Sequence, residues 1–175
     1  MDGITIISGT NRSGSNTLKI ARCCEEILHL QGVPTQLYSL EEVPQTLAFS
    51  EMFGHRSPAF EEMILSYIDK RHKFLFIAPE YNGSYPGILK TFLEAVHPNH
   101  WNFKKAGLIG VADGRAGNLR GIEQLTLVLN YLKMTVFYNK LPISSVKHLL
   151  DEQGHLKDEA TRKTLEIYLK AFSDF

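Results

Sequence analysis

Apolar runs alternate with helical patterns along the whole of this chain, and that alternation limits the fold more than any other feature. The stretches "GITIIS" (3–8), "TQLYSL" (35–40), "KFLFIAP" (73–79), "AGLIGVA" (106–112) and "MTVFYN" (134–139) each read as a strand. Between them, Leu18, Ala21, Cys24 and Leu28 recur at helical spacing, joined by Ile20 and Ile27, and Gly32 stops that helix. Ser57-Pro58 starts a second helix running to about Lys70, with Glu61 and Glu62 in its first turn, where the helix dipole favours them. Further helices are expected over 88–96, over 118–132 with Ile122, Leu125, Leu129 and Leu132 on one face, and after an Asp158 cap with Leu165, Tyr168, Leu169 and Phe172 inward. Residues 41–55 show no clear period and read as loop with some helical turn. The apolar runs lack a period of two, so their strands are covered on both faces. That requires a parallel sheet with helices on each side.

A Rossmann half would need G-x-G-x-x-G after strand one, and this chain lacks it. Five strands fit the other doubly wound order, 2-1-3-4-5, in a three-layer α/β sandwich of flavodoxin-like type. In such a sheet ligands bind beyond the C-terminal strand ends, near the switch point. The loops after strands one, three and four meet there: Gly9–Asn16, Pro79–Gly87 and Asp113–Gly121. They are the most glycine-rich and polar loops in the chain.

The first of them reads "GTNRSGSNTL" (9–18) and holds two glycines, one arginine and six hydroxyl or amide side chains in ten residues. Short residues at a helix start expose backbone N–H groups, and the helix end adds partial positive charge, so the loop reads as an anion site for a phosphate. Thr10, Ser13, Ser15 and Thr17 offer hydroxyls, Asn11 and Asn16 amides, and Arg12 a fixed charge. Gly9-x4-Gly14 imitates the start of a P-loop, but Ser15 and Asn16 stand where Lys and Ser/Thr are needed, which argues against a nucleotide triphosphatase. The loop has no cysteine, which excludes a cysteine phosphatase here. A monophosphate held rather than transferred fits best.

In the second loop, "APEYNGSYPGILK" (78–90), Pro79, Gly83, Pro86 and Gly87 fix an irregular backbone, and the glycines admit close approach of a flat ligand. Tyr81 and Tyr85 offer aromatic surface, Asn82 and Ser84 donors. The third loop, "DGRAGNLRG", adds a glycine-rich wall with Arg115, Asn118 and Arg120.

Composition excludes several function classes. The chain has 175 residues, the length of one domain spanning 1–175, and its 19 basic residues balance 19 acidic ones. Such a balance does not suit a nucleic-acid binder. No apolar run reaches the ~18 residues of a membrane span. The opening Met-Asp-Gly-Ile lacks the pattern of a signal peptide. The adjacent Cys23 and Cys24 read as reduced, structural thiols of a cytoplasmic protein. His97-Pro-Asn-His100 has H-x-x-H spacing, but the proline breaks a helix that would align the rings, so no metal site is assigned.

Two stretches carry a family resemblance. "GTNRSGSNTL" resembles the phosphate loop of NAD(P)H-dependent FMN reductases, and "PEYNGSYPGILK" resembles their P-E-Y-N-x-S-x-P-G-x-L-K signature; order and spacing agree over roughly residues 4–141. The family includes quinone, azo-dye and chromate reductases on a flavodoxin-like fold. The resemblance implies that Thr10, Arg12, Ser15, Asn16 and Thr17 hold the FMN phosphate. It implies that Pro79, Glu80, Tyr81, Asn82, Gly83 and Ser84 line the ring and ribityl region, and that Asp113, Gly114, Arg115 and Gly117 form the third flavin loop. It further implies NADPH or NADH as co-substrate, a small-molecule acceptor, and a homodimer or homotetramer. The run "AVHPNHWNF" (95–103), with Trp101 and Phe103, is the expected subunit contact. Here the chain departs from many relatives, which carry an acidic residue and Trp directly after the "LK" helix.

Because flavin performs the hydride chemistry, no catalytic side chain is assigned. Backbone N–H groups near Gly83 and Ser84 are candidates to stabilise negative charge on reduced flavin. Two other readings stay open at this point. One is a flavodoxin-type electron carrier, against which the zero net charge argues. The other is a flavin-free member of the fold.

Overall fold

The structure is a computed structural model and describes residues 3–175; the reading of Met1 and Asp2 lies outside the described residues. The central strand β1 (Ile4–Ser8) pairs in parallel with β2 (Thr35–Ser39) and β3 (Lys73–Pro79), and β3 pairs with β4 (Lys105–Val111). The order β2-β1-β3-β4-β5 is the one expected from the sequence. All of β1 is buried, and Phe74 to Ala78 of β3 are inaccessible to solvent. This is why these runs show no alternation: neither face of the sheet meets water.

On one face lie α1 (Asn16–Leu30) and, after the last strand, a long C-terminal helix over Glu159–Asp174. Ile20, Cys24, Leu165 and Phe172 from these helices pack on Ile6, Leu75 and Ile109. The other face is covered by α2 (Leu47–Ser50), α3 (Pro58–Met63), α4 (Gly87–Ala95) and α5 (Leu119–Tyr131), with Leu89, Phe92, Ile122 and Leu125 against Ile7, Phe76 and Leu108. Side-chain caps set the helix starts: Ser15 accepts from the Leu18 N–H at 3.2 Å, Ser57 from Phe60 at 3.3 Å and Asp158 from Thr161 at 2.9 Å. Cys23 and Cys24 are free and buried, and burial pushes both thiols up, so they stay protonated and inert.

Three expectations need correction. The helix expected over 57–70 is α-helical only to Met63 and continues as a π-helix over Ile64–Asp69. Polar side chains from the sheet accompany the wider turn. Thr5 donates to the Tyr67 carbonyl at 2.7 Å, Gln36 to the Ser66 carbonyl at 3.1 Å, and Lys104 to that of Ile68.

The fifth strand is split. β5 covers only Thr135–Val136, beside Lys105 and Ala106, and β6 (Leu141–Ile143) resumes beside Ile109–Val111. Phe137 still donates to the Ala106 carbonyl at 2.8 Å while its ring turns in against Tyr168, Phe172 and Phe175. Tyr138 is exposed there, and Pro142, without an N–H, sits on an edge strand where none is demanded. The four-residue α6 (Val146–Leu149) follows, and the C-terminal helix is therefore α7.

Trp101 is not a surface contact. It is fully buried, edge-on to Phe74 with ring centroids 5.4 Å apart, whereas Phe103 beside it is 80% exposed.

Gly110 shows how tightly β4 meets the turn above it: a Cβ there would lie 2.2 Å from the Gly117 carbonyl oxygen. Gly110→Ala should therefore lower stability by about 1–3 kcal/mol, the usual cost of forced overpacking. Gly114→Ala, where a Cβ meets nothing within 4 Å, should be close to neutral. Thermal unfolding of the two variants checks this; equal melting temperatures would contradict it.

Candidate functional site

The loops after β1, β3 and β4 meet at the C-terminal edge of the sheet around a polar cavity of about 320 Å³. Residues Arg12 to Thr17 form one wall, Pro79, Glu80 and Tyr81 a second, and Val111, Ala112 and Asp113 a third.

The first wall is built by the start of α1. Ser15 caps the helix, and the Lys19 N–H reaches the Ser15 carbonyl at 3.3 Å. Gly14 takes a left-handed φ of +64°, which lets the chain turn into the helix. The backbone N–H groups of Ser13, Gly14, Ser15 and Asn16 make no bond to another described residue. Arg12 is exposed at the cavity's edge and pairs with no carboxylate among the described residues. Unbonded donors at a helix N-terminus beside a free guanidinium are groups that can receive an anion. Thr17 is buried and lines the same wall.

Thr10 stands just behind the cavity lining. It is fully buried, accepts from the Arg12 N–H at 3.2 Å, and its Oγ1 lies 2.8 Å from the Tyr81 hydroxyl. That bond ties the first loop to the second.

The second wall continues β3. The Glu80 N–H reaches the Val111 carbonyl at 3.2 Å, and the chain then closes a two-residue hairpin in which Tyr81 and Ser84 exchange N–H···O bonds of 2.9 and 3.1 Å. Asn82 (φ 53°) and Gly83 (φ 80°) are both left-handed, the pattern of the Asn-Gly turn that suits such hairpins. Only the Arg120 guanidinium, at 3.9 Å, comes near a Cβ built on Gly83, so the glycine serves the turn's conformation. The Ser84 N–H, expected to face the flavin, is committed to the Tyr81 carbonyl, and its hydroxyl donates to Gln124. Asn82, Gly83 and Ser84 thus form the hairpin next to the cavity and do not line it.

Asn118 clamps the end of β3, just before this hairpin, to the start of α5. It is buried in a left-handed conformation (φ 66°), and its Nδ2 donates to the Ala78 carbonyl at 2.8 Å. A Cβ on Gly121 would lie 2.7 Å from the Tyr85 nitrogen, so helix and loop backbones are in contact.

In the third loop only Asp113 reaches the cavity. Gly114 and Arg115 are exposed outside it, and Gly117 packs on β6, where a Cβ would lie 2.8 Å from the Ile143 nitrogen. Val146 and Lys147 of α6 complete the wall, and sequence reasoning missed both. Lys147 Nζ lies 2.8 Å from Asp113 Oδ2, and the Lys147 N–H donates to Asp113 Oδ1 at 3.2 Å. The Lys147 side chain, more than any other group, holds the Asp113 carboxyl below the usual carboxylate range. The split fifth strand is the reason α6 lies here: Ala112 donates to the Ile143 carbonyl at 2.9 Å, and Val146 donates back to Ala112 at 3.2 Å. The sequence signal was "LPISSVKHLL", a strand ending at Ile143 and passing directly into a basic helical turn.

Elsewhere, the His97 and His100 rings stand 6.5 Å apart, and His100 Nδ1 bonds Asp69 at 2.7 Å. Among the described residues, no group of three or more His, Cys, Asp or Glu could hold a metal, and no helix is long and apolar enough to cross a membrane.

Comparison with known proteins agrees with this geometry. An NAD(P)H-dependent FMN reductase of Pseudomonas aeruginosa is 29% identical over 94% of this chain and 90% of its own length. An FMN-dependent NADPH-azoreductase of Staphylococcus aureus is 31% identical over 65% of this chain and 62% of its own length. The solved flavoenzyme NAD(P)H:(acceptor) oxidoreductase FerB of Paracoccus denitrificans shares the fold, with a TM-score of 0.77 over 99% of this chain and 96% of that one at 22% identity. The sequence profile of the NADPH-dependent FMN reductases matches residues 3–148, which takes in every strand and all three walls of the cavity, so the chain belongs to that family and is an NAD(P)H-driven FMN oxidoreductase.

Proposed function

We propose that residues 1–175 form one FMN-binding domain in which the start of α1 holds the cofactor phosphate and the cavity between Glu80–Tyr81 and Asp113 receives the adjoining part of the molecule. The unbonded N–H groups of Ser13 to Asn16 beside Arg12 carry this reading. They supply charge-assisted donors to a dianion without disturbing a bond already made. Ser15, Asn16 and Thr17 add short polar side chains to the same wall. When bound, FMN supplies the hydride chemistry between NAD(P)H and an acceptor.

The chain's own residues position and enclose. The Thr10–Tyr81 bond fixes the phosphate loop against the hairpin, and Asn118 fixes the end of β3, from which the hairpin springs, against α5. Movement in either would displace the reacting atoms, and hydride transfer is sensitive to such displacement. Asn82, Gly83, Ser84, Gly114, Arg115 and Gly117 act by shaping these loops. The acceptors are small molecules reached from solvent: a quinone, an azo compound, chromate or free flavin. Protonated, buried thiols suit a cytoplasmic site of action.

We assign the contact between copies of the chain to the face formed by α4, α5 and residues 52–56. Met52, Leu93, Val128 and Leu132 line an open groove there of about 840 Å³, and Phe53, Leu127 and Tyr131 stand 88%, 71% and 85% exposed around it. Projecting rings and an apolar groove on one face can interlock about a two-fold axis, with the Lys90–Glu94 pair and Arg56 at the rim.

Two outcomes follow. Arg12→Ala should weaken FMN by about 1.5–3 kcal/mol, leave riboflavin almost unchanged and keep the fold, because the lost bonds are to phosphate. Titration of both ligands into wild type and variant checks this; equal losses would show that Arg12 does not read the phosphate. Light scattering should give wild type a mass above that of one chain and Leu127→Arg the mass of one chain. A monomeric wild type with full activity would refute the assembly.

A further inference from the structure

The cavity is lined by two carboxylates, Glu80 and Asp113, and two cations, Arg12 and Lys147. A phosphate-bearing ligand brings further negative charge to this wall. With Lys147 present the lining is neutral; without it the lining carries a net negative charge and repels the ligand. The two bonds between Lys147 and Asp113 divide the work. The backbone N–H holds one carboxylate oxygen in place at 3.2 Å, and the ammonium covers the other at 2.8 Å.

We propose that Lys147 is a positioning residue of the FMN pocket, acting through Asp113: its ammonium neutralises the carboxylate so that the outer wall accepts an anionic cofactor. The inference rests on the reading of this cavity as the FMN site. It assigns Asp113 a task other than touching the flavin, namely anchoring α6 to the third loop. It also explains why a short helix after the fifth strand is brought back to the sheet edge. The pair is open to solvent, with side-chain exposures of 72% for Lys147 and 45% for Asp113, so it adds little to folding stability. A substitution of Lys147 leaves its backbone N–H on Asp113 and thereby isolates the charge.

The test is fluorescence titration of the full chain with FMN and with riboflavin, at low and high salt. Lys147→Met should weaken FMN about three- to tenfold at low salt, the scale of one uncovered charge near a dianion in a solvated site. Riboflavin should shift by less than about twofold, and salt should shrink the FMN loss. Lys147→Arg should bind FMN like wild type. Asp113→Asn combined with Lys147→Met should restore FMN binding, because the charge to be neutralised is gone. Melting temperatures should be alike across the set. Equal losses for FMN and riboflavin would overturn the proposal in favour of a purely structural wall. A double variant as weak as Lys147→Met would overturn it in favour of direct contact between Lys147 and the phosphate. Wild type that shows no saturable FMN binding would overturn the site reading itself, and this inference with it.

Discussion

Both faces of β1, β3 and β4 are buried, and that constraint determines where this protein can do chemistry. Most side chains on these strands point into one apolar layer or the other. Polar groups therefore collect where the strands end. At the C-terminal edge three of those ends lie side by side, since β1, β3 and β4 are neighbours in the sheet. The cavity follows from the strand order, and its chemistry from the loops that the order brings together.

Those loops are held mainly by bonds to one another. Thr10 reaches Tyr81 across two strand ends, Asn118 reaches Ala78, and Asp113 reaches Lys147. Each bond spends a polar side chain on position, and the start of α1 keeps its backbone donors unspent at Ser13 to Asn16. This division suits an enzyme whose cofactor does the electron chemistry: the protein needs a stiff seat more than reactive side chains. The hairpin at Asn82-Gly83 belongs to the same logic. Two left-handed residues make a tight turn that ends β3 and returns the chain to α4.

Much of this was legible in the sequence, for identifiable reasons. Strand runs such as "KFLFIAP" lack alternation because the sheet is covered twice, and helices such as 16–30 announce themselves by caps and period. The donor-rich start of α1 was legible because a helix N-terminus with short residues has local rules. What failed depended on distant contacts. The π-helix over 64–69 answers to Thr5, Gln36 and Lys104, far away in sequence. Trp101 sits among polar neighbours in the chain, yet Phe74, Phe76 and Phe92 enclose it. At the break between β5 and β6 Phe137 turns into the core, and the pairing of β6 with β4 then leads Lys147 to the cavity. Thr10, Ser84, Gly114, Arg115 and Gly117 are in the matching motifs and stand beside the cavity lining, in the loops that shape it.

The central claim is that this cavity seats FMN where NAD(P)H can reduce it. The most direct test is anaerobic mixing of the FMN-loaded protein with NADPH while the visible absorbance of the flavin is followed. The account predicts rapid bleaching of the bound flavin, reversed on adding a small quinone. Tightly bound flavin that stays oxidised in excess NADPH and NADH would contradict it.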